Sequence, residues 1–287
     1  MTSEITVFIL AKDEAPNIRK CLDCLQACEA TVVVLDSGST DDTKNIVRQF
    51  PNATVKDFVY RNHHLAYNEI TTELVEPGSW AMVLDADMEV GPLLWTEVSL
   101  LTRDDTTDVL IAPVQMYVEG VPLPHGSLYP PKPIVFRSGN EYFIAKGHGE
   151  KLADDVRSRQ TEAMLGHNDF KPFDRYLASQ VRYAGNRWRR VQASQAGWFD
   201  RLSTIIPIRA LVVPFISYVW RGGILSGLAG LVYALDIVVA SLIQYRCFLS
   251  ERLDKPAGFS TDPGVSQAKA TASHDVDPAV ASASAKS

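Results

Sequence analysis

The sequence predicts an α/β fold, with a Rossmann-like, mainly parallel sheet flanked by helices and an apolar helical region after it. Short apolar runs at 5–10 and 31–35 each lead into a polar turn and then into a segment with helical spacing. Two successive β-loop-α units imply parallel strands joined by right-handed crossovers. A third apolar run precedes Asp85 and Asp87, which is typical of a buried strand that ends in two carboxylates.

The first β-loop-α unit continues through the polar turn at 11–14 into a helix that ends near Cys28. Pro16 is compatible with an early helical position. Apolar side chains then recur at helical spacing, at Ile18, Cys21, Leu22 and Leu25.

The second unit passes through a turn at 36–43, rich in Asp, Ser and Gly, into a helix over about 44–50. Neither turn contains the glycine pattern of a dinucleotide-binding loop or of a P-loop. If the chain binds phosphates, it therefore holds them by other means.

The two carboxylates at Asp85 and Asp87 follow the third predicted strand. In open α/β sheets, ligands bind beyond the carboxyl ends of the strands. Buried carboxylates are costly unless a cation or a hydrogen-bond donor neutralises them, and Mg²⁺ or Mn²⁺ is often held by one or two carboxylates plus substrate phosphates. The pair therefore indicates a metal-dependent site for a phosphorylated ligand. The simpler interpretation is that these carboxylates only cap the helix that follows.

Three segments, 9–14, 35–41 and 84–87, occur in the order and approximate spacing seen in inverting family 2 glycosyltransferases. Three later segments resemble landmarks of the bacterial lipopolysaccharide-core β-glucosyltransferase-like subgroup, and the similarity extends over about 4–253. This resemblance implies a GT-A-type fold. The later segments are 146–152, 165–167 and 222–231.

The resemblance also implies roles for single residues. Asp36 would contact the nucleotide base, with the backbone near Ala11 beside it. Asp85 and Asp87 would hold the ribose and the metal-bound diphosphate, and His167 would bind the metal or a diphosphate oxygen. The implied donor is UDP-glucose or a similar nucleotide sugar, the metal is Mg²⁺ or Mn²⁺, and the acceptor is a lipid-linked saccharide of the lipopolysaccharide core or cell envelope.

An inverting transfer needs a carboxylate that removes the proton of the acceptor hydroxyl. Glu150 follows a glycine-containing turn, where a carboxylate can face a cleft, and it is the first candidate. A solvated loop position explains Glu150 equally well. The alternates are Asp154, Asp155 and Asp169.

The net charge of −6 is unevenly distributed, because 175–250 contains nine Arg and two Asp residues, a local charge of +7. Two apolar stretches, 205–220 and 222–245, lie in the same region. Basic and aromatic residues around apolar segments suit an anionic bilayer surface, where each basic side chain gains about 1 kcal/mol. Nucleic acid would not require such apolar segments.

We therefore predict a helical, membrane-associated appendage that lies in the bilayer interface. A transmembrane hairpin is the first alternative, and it would bury Asp236 at a cost of about 2.5 to 3.5 kcal/mol. An internal helical layer or a dimer interface is the second, so oligomerisation stays open. The predicted location is the cytoplasmic face of the bacterial inner membrane, with peripheral or monotopic attachment.

The predicted organisation is a nucleotide-sugar domain over 1–174, an Arg-rich helical region over 175–253 and a disordered tail over 254–287. The cysteines lack the spacing of a zinc set and are interpreted as small core residues of a protein in a reducing compartment. A nucleotidyltransferase is the nearest other enzyme class, although 11–16 lacks its Gly- and Lys/Arg-rich loop. A non-catalytic membrane-surface binding protein is the main alternative outside enzymes.

Overall fold

The computed structural model describes residues 5–103, 106–146, 149–153, 155–192 and 197–253. A central sheet of seven strands carries helices on both faces, and one four-stranded and one two-stranded sheet lie beside it. The strands are β1 Ile5–Ala11, β2 Thr31–Asp36, β3 Ala53–Asp57, β4 Trp80–Asp85, β5 Met88–Glu89, β6 Val109–Ala112, β7 Val114–Val118, β8 Val121–Leu123, β9 Lys132–Arg137, β10 Phe143–Lys146, β11 Gly149–Leu152, β12 Ser158–Gln160 and β13 Leu165–His167.

Eight α-helices are described. The third and the seventh each continue into a π-helical segment, and a short 3₁₀ helix precedes the last. The helices are α1 Ile18–Ala27, α2 Thr43–Val47, α3 His63–Glu69 with the π segment Ile70–Leu74, α4 Pro92–Leu101, α5 Phe173–Gln192, α6 Trp198–Leu202, α7 Ile208–Phe215 with the π segment Ile216–Trp220, the 3₁₀ helix Gly223–Ser226, and α8 Gly227–Arg252.

The central sheet has the strand order β12-β6-β9-β4-β1-β2-β3. All its pairings are parallel except those of β9, which runs antiparallel to both β4 and β6. The predicted mainly parallel α/β sheet is thus confirmed. The register aligns Ala11 with Asp36 and Leu10 with Asp85, so β1, β2 and β4 end at one edge.

Both faces of the sheet are buried, which explains the continuous apolar runs in the sequence. Val7 and Ile9 of β1 point into a core with α1, α2 and α4 on one face. Phe8 and Leu10 point into a second core, built around α3 and Phe136, on the other face.

The structure differs from the sequence prediction at two prolines. The sequence of 109–118 predicts one continuous strand, whereas the structure divides this run at Pro113 into β6 of the central sheet and β7 of the four-stranded sheet. Proline lacks the N–H that a ladder needs, so the chain changes sheets there. Near Pro16, α1 begins only at Ile18, because Asn17 occupies the N-cap position.

The predicted C-terminal helical region is present as α5 to α8. Residues Gly223–Arg252 form a helical stretch of 30 residues that is long and apolar enough to cross a bilayer. An 18-residue segment of it has a mean hydropathy of 2.0, and 22% of that segment is buried. The core helix of a soluble protein meets the same criteria. The domain boundaries stay predictions, and the predicted disordered tail at 254–287 lies outside the described residues.

Candidate active site

The turn after β2 is organised around the carboxylate of Asp36, which is 1% exposed. Its Oδ2 atom accepts hydrogen bonds from the backbone N–H groups of Gly38 and Ser39, each at 3.0 Å, and pairs with Lys44 Nζ at 3.0 Å. Burial would raise the pKa of Asp36, but these partners outweigh it and lower the pKa. Oδ1 is buried and lacks a hydrogen-bond partner within the described part of the chain, so it can accept a ligand N–H.

The loops that follow β1 and β2 are bound to each other. The Ser37 N–H donates to the Ala11 carbonyl at 2.9 Å, and the Asp13 N–H donates to Ser39 Oγ at 2.8 Å. Asp13 Oδ1 in turn accepts from the Thr40 N–H at 2.7 Å. These contacts hold Asp13 at a φ of 55°, which is uncommon for a non-glycine residue. The two loops therefore form one rigid rim beside Asp36.

Asp85, at the end of β4, forms an ion pair with Lys132. Lys132 is the first residue of β9, and because β9 is antiparallel to β4, its start lies where β4 ends. Burial would raise the pKa of Asp85, yet Lys132 lowers it. Burial would lower the pKa of Lys132, but Tyr67 and Asp85 raise it. Both groups are therefore charged at neutral pH.

Asp87 lies between β4 and β5 and faces His167. Strand β13 pairs with β5 and places His167 opposite Met88, which brings His167 Nε2 to 3.6 Å from Asp87 Oδ2. The His167 ring also contacts that of Tyr129, with 4.9 Å between the centroids. Burial raises the pKa of Asp87, and Asp85 adds to this effect although His167 opposes it.

The pair of Asp87 and His167 fits a divalent cation. Asp87 Oδ1 is buried and has no hydrogen-bond partner among the residues described, and the same is true of His167 Nδ1. The distance of 3.6 Å between His167 Nε2 and Asp87 Oδ2 exceeds that of a normal hydrogen bond. No group of three or more His, Cys, Asp or Glu ligands is found in the described residues. Two protein ligands suit Mg²⁺ or Mn²⁺, which complete their shells with substrate phosphates and water.

A polar cluster borders Asp87 on the side of the first loop. Lys171 Nζ lies 2.8 Å from Glu14 Oε1, and Asn17 Nδ2 donates to Glu14 Oε2 at 3.0 Å and to Asp169 Oδ1 at 2.8 Å. The charges of Lys171 and Asp169 both act on the pKa of Asp87. Among the alternate general bases, Asp169 therefore lies close to Asp87.

The structure thus brings Ala11, Asp36, Asp85, Asp87 and His167 to one edge of the sheet. Glu150 lies in β11, but its side chain and all of Asp154 lie outside the described residues, and Asp155 is exposed.

Sequence reasoning missed Lys132, Lys171 and Tyr129 as site residues. Lys171 lies four residues after His167 and could have been found by continuing the search for site residues beyond the segment 165–167. Lys132 could be found only by recognising that β9 begins at the edge where β4 ends.

Residues 6–146 match the family model described as glycosyl transferase family 2. The chain carries a family 2 glycosyltransferase domain. The family predicted from the sequence is confirmed at this level, and the GT-A-type α/β fold with it, while the lipopolysaccharide-core subgroup stays a prediction.

One curated relative is the SPbeta prophage-derived glycosyltransferase SunS of Bacillus subtilis, with 25% identity over 193 residues. That match covers 63% of this chain and 43% of the relative, so the chain spans less than half of its length. A glycosyltransferase described as an MG060 homolog, of Mycoplasma pneumoniae, is 29% identical over 90 residues, which is 30% of each chain.

Among solved structures, the chain is similar to glucosyl-3-phosphoglycerate synthase of Mycobacterium tuberculosis, crystallised with Mn²⁺, UDP and glucosyl-3-phosphoglycerate. The TM-score is 0.43 at 15% identity, over 66% of this chain and 80% of the other. It is also similar to residues 1–349 of S. aureus TarS, with a TM-score of 0.42 at 16% identity, over 88% of this chain and 92% of the other.

Proposed function

We propose that this chain is a metal-dependent inverting glycosyltransferase that moves a sugar from a nucleoside-diphosphate donor, such as UDP-glucose, to a lipid-linked saccharide in lipopolysaccharide-core or cell-envelope glycan synthesis. One observation carries the proposal. Within a family 2 domain, Asp87 presents a buried carboxylate oxygen with no described hydrogen-bond partner, at the strand edge that also holds Asp36 and Asp85. Such a costly arrangement is typical of a site that binds a cation and a charged ligand.

The nucleoside would bind at the rim formed by the two loops. Asp36 Oδ1 would accept an N–H of the base, while Oδ2 stays fixed by its backbone donors and Lys44. The backbone around Ala11 would line the same pocket. Asp85 would accept hydrogen bonds from the ribose hydroxyls, held in place by Lys132.

The diphosphate would lie beside Asp87. Asp87 and His167 would hold the Mg²⁺ or Mn²⁺ ion, which when bound stabilises negative charge on the departing diphosphate. Lys132 pairs with Asp85, whereas Lys171 pairs with Glu14. The charge of Lys171 also opposes the rise in the pKa of Asp87, so two ammonium groups border the proposed diphosphate site. These cations offset the repulsion between the carboxylates and the anionic donor. The offset matters because little water would be left in the occupied site to screen that repulsion.

The acceptor hydroxyl would attack the anomeric carbon from the face opposite the diphosphate. Glu150 is our proposed general base, and such assistance is typically worth about 10² to 10⁴ in rate. Asp169 is the second candidate, supported by its place beside Asp87. Asn17 and the Lys171 N–H both donate to Asp169 Oδ1 and fix the orientation of its carboxylate.

Two alternatives have less support. A nucleotidyltransferase would need several cations in the first loop to hold a triphosphate, whereas 11–16 contains Lys12 as its one basic residue. A non-catalytic binding protein would gain nothing from keeping an unpaired, buried carboxylate oxygen at Asp87.

We further propose peripheral or monotopic attachment to the cytoplasmic face of the bacterial inner membrane. The local charge of +7 in 175–250 supports attraction to anionic lipid. Large apolar side chains of the same region are also exposed, notably Leu211 at 73%, Trp220 at 82%, Leu225 at 74% and Leu228 at 75%. An acceptor anchored in the membrane would then be within reach of the site.

The central test is sugar transfer and donor hydrolysis with purified protein. We expect release of nucleoside diphosphate from UDP-glucose or a related donor with Mn²⁺ or Mg²⁺, and loss of that release on chelation with EDTA. Restoring the metal should restore the activity, which separates metal removal from denaturation. Equal turnover with and without chelator would contradict the metal-dependent mechanism, and no turnover with any nucleotide sugar would favour the non-catalytic alternative.

Membrane association is tested by sedimentation with vesicles. The protein should pellet with vesicles that contain anionic lipid and be partly released by 1 M salt, because the screening length falls from about 10 Å at 0.1 M to about 3 Å. Leu225→Ser should weaken this binding. Leu93→Ser, which alters an equally exposed leucine of the catalytic domain (81%), should not. Release by detergent alone would instead indicate a transmembrane hairpin.

A further inference from the structure

The loop between β8 and β9, residues 124–131, forms one wall of the candidate site, and we call it the wall loop. Tyr129 in this loop packs its ring against His167 at 4.9 Å. The loop leads directly into Lys132, the partner of Asp85. The position of the wall loop therefore affects both the predicted metal ligand and the predicted ribose-binding carboxylate.

Gly126 of the wall loop is in backbone contact with Gly223 of the C-terminal helices, and Gly223 in turn packs against Gly230; we call these three glycines the glycine junction. A Cβ atom at Gly126 would lie 2.5 Å from Gly223 Cα and 2.9 Å from the Ser217 carbonyl oxygen. A Cβ atom at Gly223 would lie 2.8 Å from the same oxygen, and one at Gly230 would overlap the Gly223 carbonyl. A side chain at Gly126 would push the wall loop away from Gly223, and one at Gly223 or Gly230 would disrupt the packing of the helical segment that Gly126 contacts. This contact gives a physical reason for the glycine-rich segment 222–231.

Five hydrogen bonds reinforce the junction. Each joins the wall loop to the C-terminal helices, and all five use a main-chain N–H or carbonyl group of the loop that would otherwise need water. The bonds are His125 N–H to Ser226 Oγ at 3.1 Å, Ser226 Oγ to the His125 carbonyl at 3.0 Å, Ser217 Oγ to the Gly126 carbonyl at 2.7 Å, Arg221 Nη1 to the Ser127 carbonyl at 2.6 Å and Leu128 N–H to Tyr233 Oη at 3.2 Å.

We propose that the glycine junction and its hydrogen bonds position the wall loop for catalysis, so that the C-terminal helices are part of the active site as well as its means of membrane attachment. Ser217, Ser226 and Tyr233 are then positioning residues that act through Tyr129 and Lys132. This inference rests on the proposed function of the site. A displacement of about 1 Å at a reacting centre can cost about 100-fold in rate, so the loss of a few such bonds is measurable.

The test compares two double variants of the full chain. Ser226→Ala with Tyr233→Phe removes three of the five bonds and alters no Arg or large apolar side chain. Tyr245→Phe with Ser250→Ala makes the same chemical changes further along α8, where the hydroxyl groups donate to the carbonyls of Ile205 and Arg246 and not to the wall loop. The readouts are kcat, KM for the donor, Mn²⁺ affinity by calorimetry with UDP present, and sedimentation with anionic vesicles.

We expect the first variant to lose about 10- to 100-fold in kcat and to bind Mn²⁺ more weakly than the second, with equal vesicle binding and melting temperature. Equal kcat and equal Mn²⁺ affinity in the two variants would overturn the inference and leave the proposed function intact. An inactive wild-type protein would overturn the proposed function, and this inference with it.

A second pair keeps the test decisive if the first double variant does not fold. Arg221→Gln removes one bond from an exposed side chain, and Arg182→Gln is its control, since Arg182 donates to Ser179 within α5. We expect lower kcat and Mn²⁺ affinity for Arg221→Gln alone. Identical values for the two would overturn the inference.

Discussion

Asp87→Asn is expected to abolish metal-dependent sugar transfer, with a loss of at least about 100-fold in kcat/KM. Loss of a residue that only supports a metal ligand already costs about 10- to 100-fold, and Asp87 is the proposed ligand itself. The amide keeps the size of the side chain but supplies no negative charge to the cation. Mn²⁺ affinity, measured by calorimetry in the presence of UDP, should fall together with turnover.

The same substitution should leave the metal-free protein at least as stable as the wild type. Burial raises the pKa of Asp87, which means that its charge is unfavourable in the folded protein without a cation. A neutral amide removes that cost, so the melting temperature in EDTA should stay the same or rise. Activity and stability would then change in opposite directions, as expected of a binding residue and not of a core residue.

Asp108→Asn is the matched control for Asp87→Asn. Asp108 pairs with Arg157 at 2.6 Å just before β6 begins, at the opposite edge of the central sheet. Its removal should cost about 1 to 3 kcal/mol in stability, because the Asp108 side chain is 17% exposed and accepts from Arg157 through both carboxylate oxygens, and should leave metal-dependent turnover unchanged. Near-normal turnover of Asp87→Asn in Mn²⁺ would contradict the metal assignment, whereas equal losses in both variants would indicate a general structural effect.

The parallel part of the fold could be predicted because it is encoded locally. Strands β1, β2 and β4 are apolar on both faces, and each is followed by a turn whose polar residues mark the end of the strand in the sequence. Asp36 and Asp85 are the last residues of β2 and β4, and Asp87 lies two residues after Asp85, so their convergence follows from parallel topology alone. His167 was located through the resemblance, and the pairing of β13 with β5 then explains why it meets Asp87.

The antiparallel strand could not be predicted in the same way. The apolar segment 134–137 predicts a strand, but its insertion between β4 and β6 depends on pairing with residues that lie at least 20 positions earlier in the chain. That insertion brings Lys132 to Asp85. The contact of the wall loop with Gly223 is likewise set by tertiary packing, although glycines at 126 and 222–230 were visible in the sequence. The role of Glu150 stays a prediction, because its side chain lies outside the described residues.

Lys132→Met is expected to reduce transfer by at least about 100-fold and also to destabilise the protein. Lys132 is the cation that pairs with Asp85, and without it the anionic donor would meet an uncompensated negative charge there. Removal of one member of a buried ion pair costs about 3 to 5 kcal/mol. The cost here should be smaller, about 1 to 3 kcal/mol, because the Asp85 side chain is 27% exposed and the Lys132 side chain 14% exposed.

The double variant Asp85→Asn with Lys132→Met separates the two effects. It removes the carboxylate that Lys132→Met leaves unpaired, so stability should return towards the wild-type value while transfer stays lost. Lys20→Met is the control, since Lys20 pairs with Glu89 at 2.8 Å with its side chain 47% exposed, and its loss should change neither quantity appreciably. Chemical denaturation gives the free energy of unfolding, and the transfer assay gives kcat and KM. Recovery of transfer in the double variant would show that Lys132 serves only to neutralise Asp85 and does not contribute to binding of the donor diphosphate.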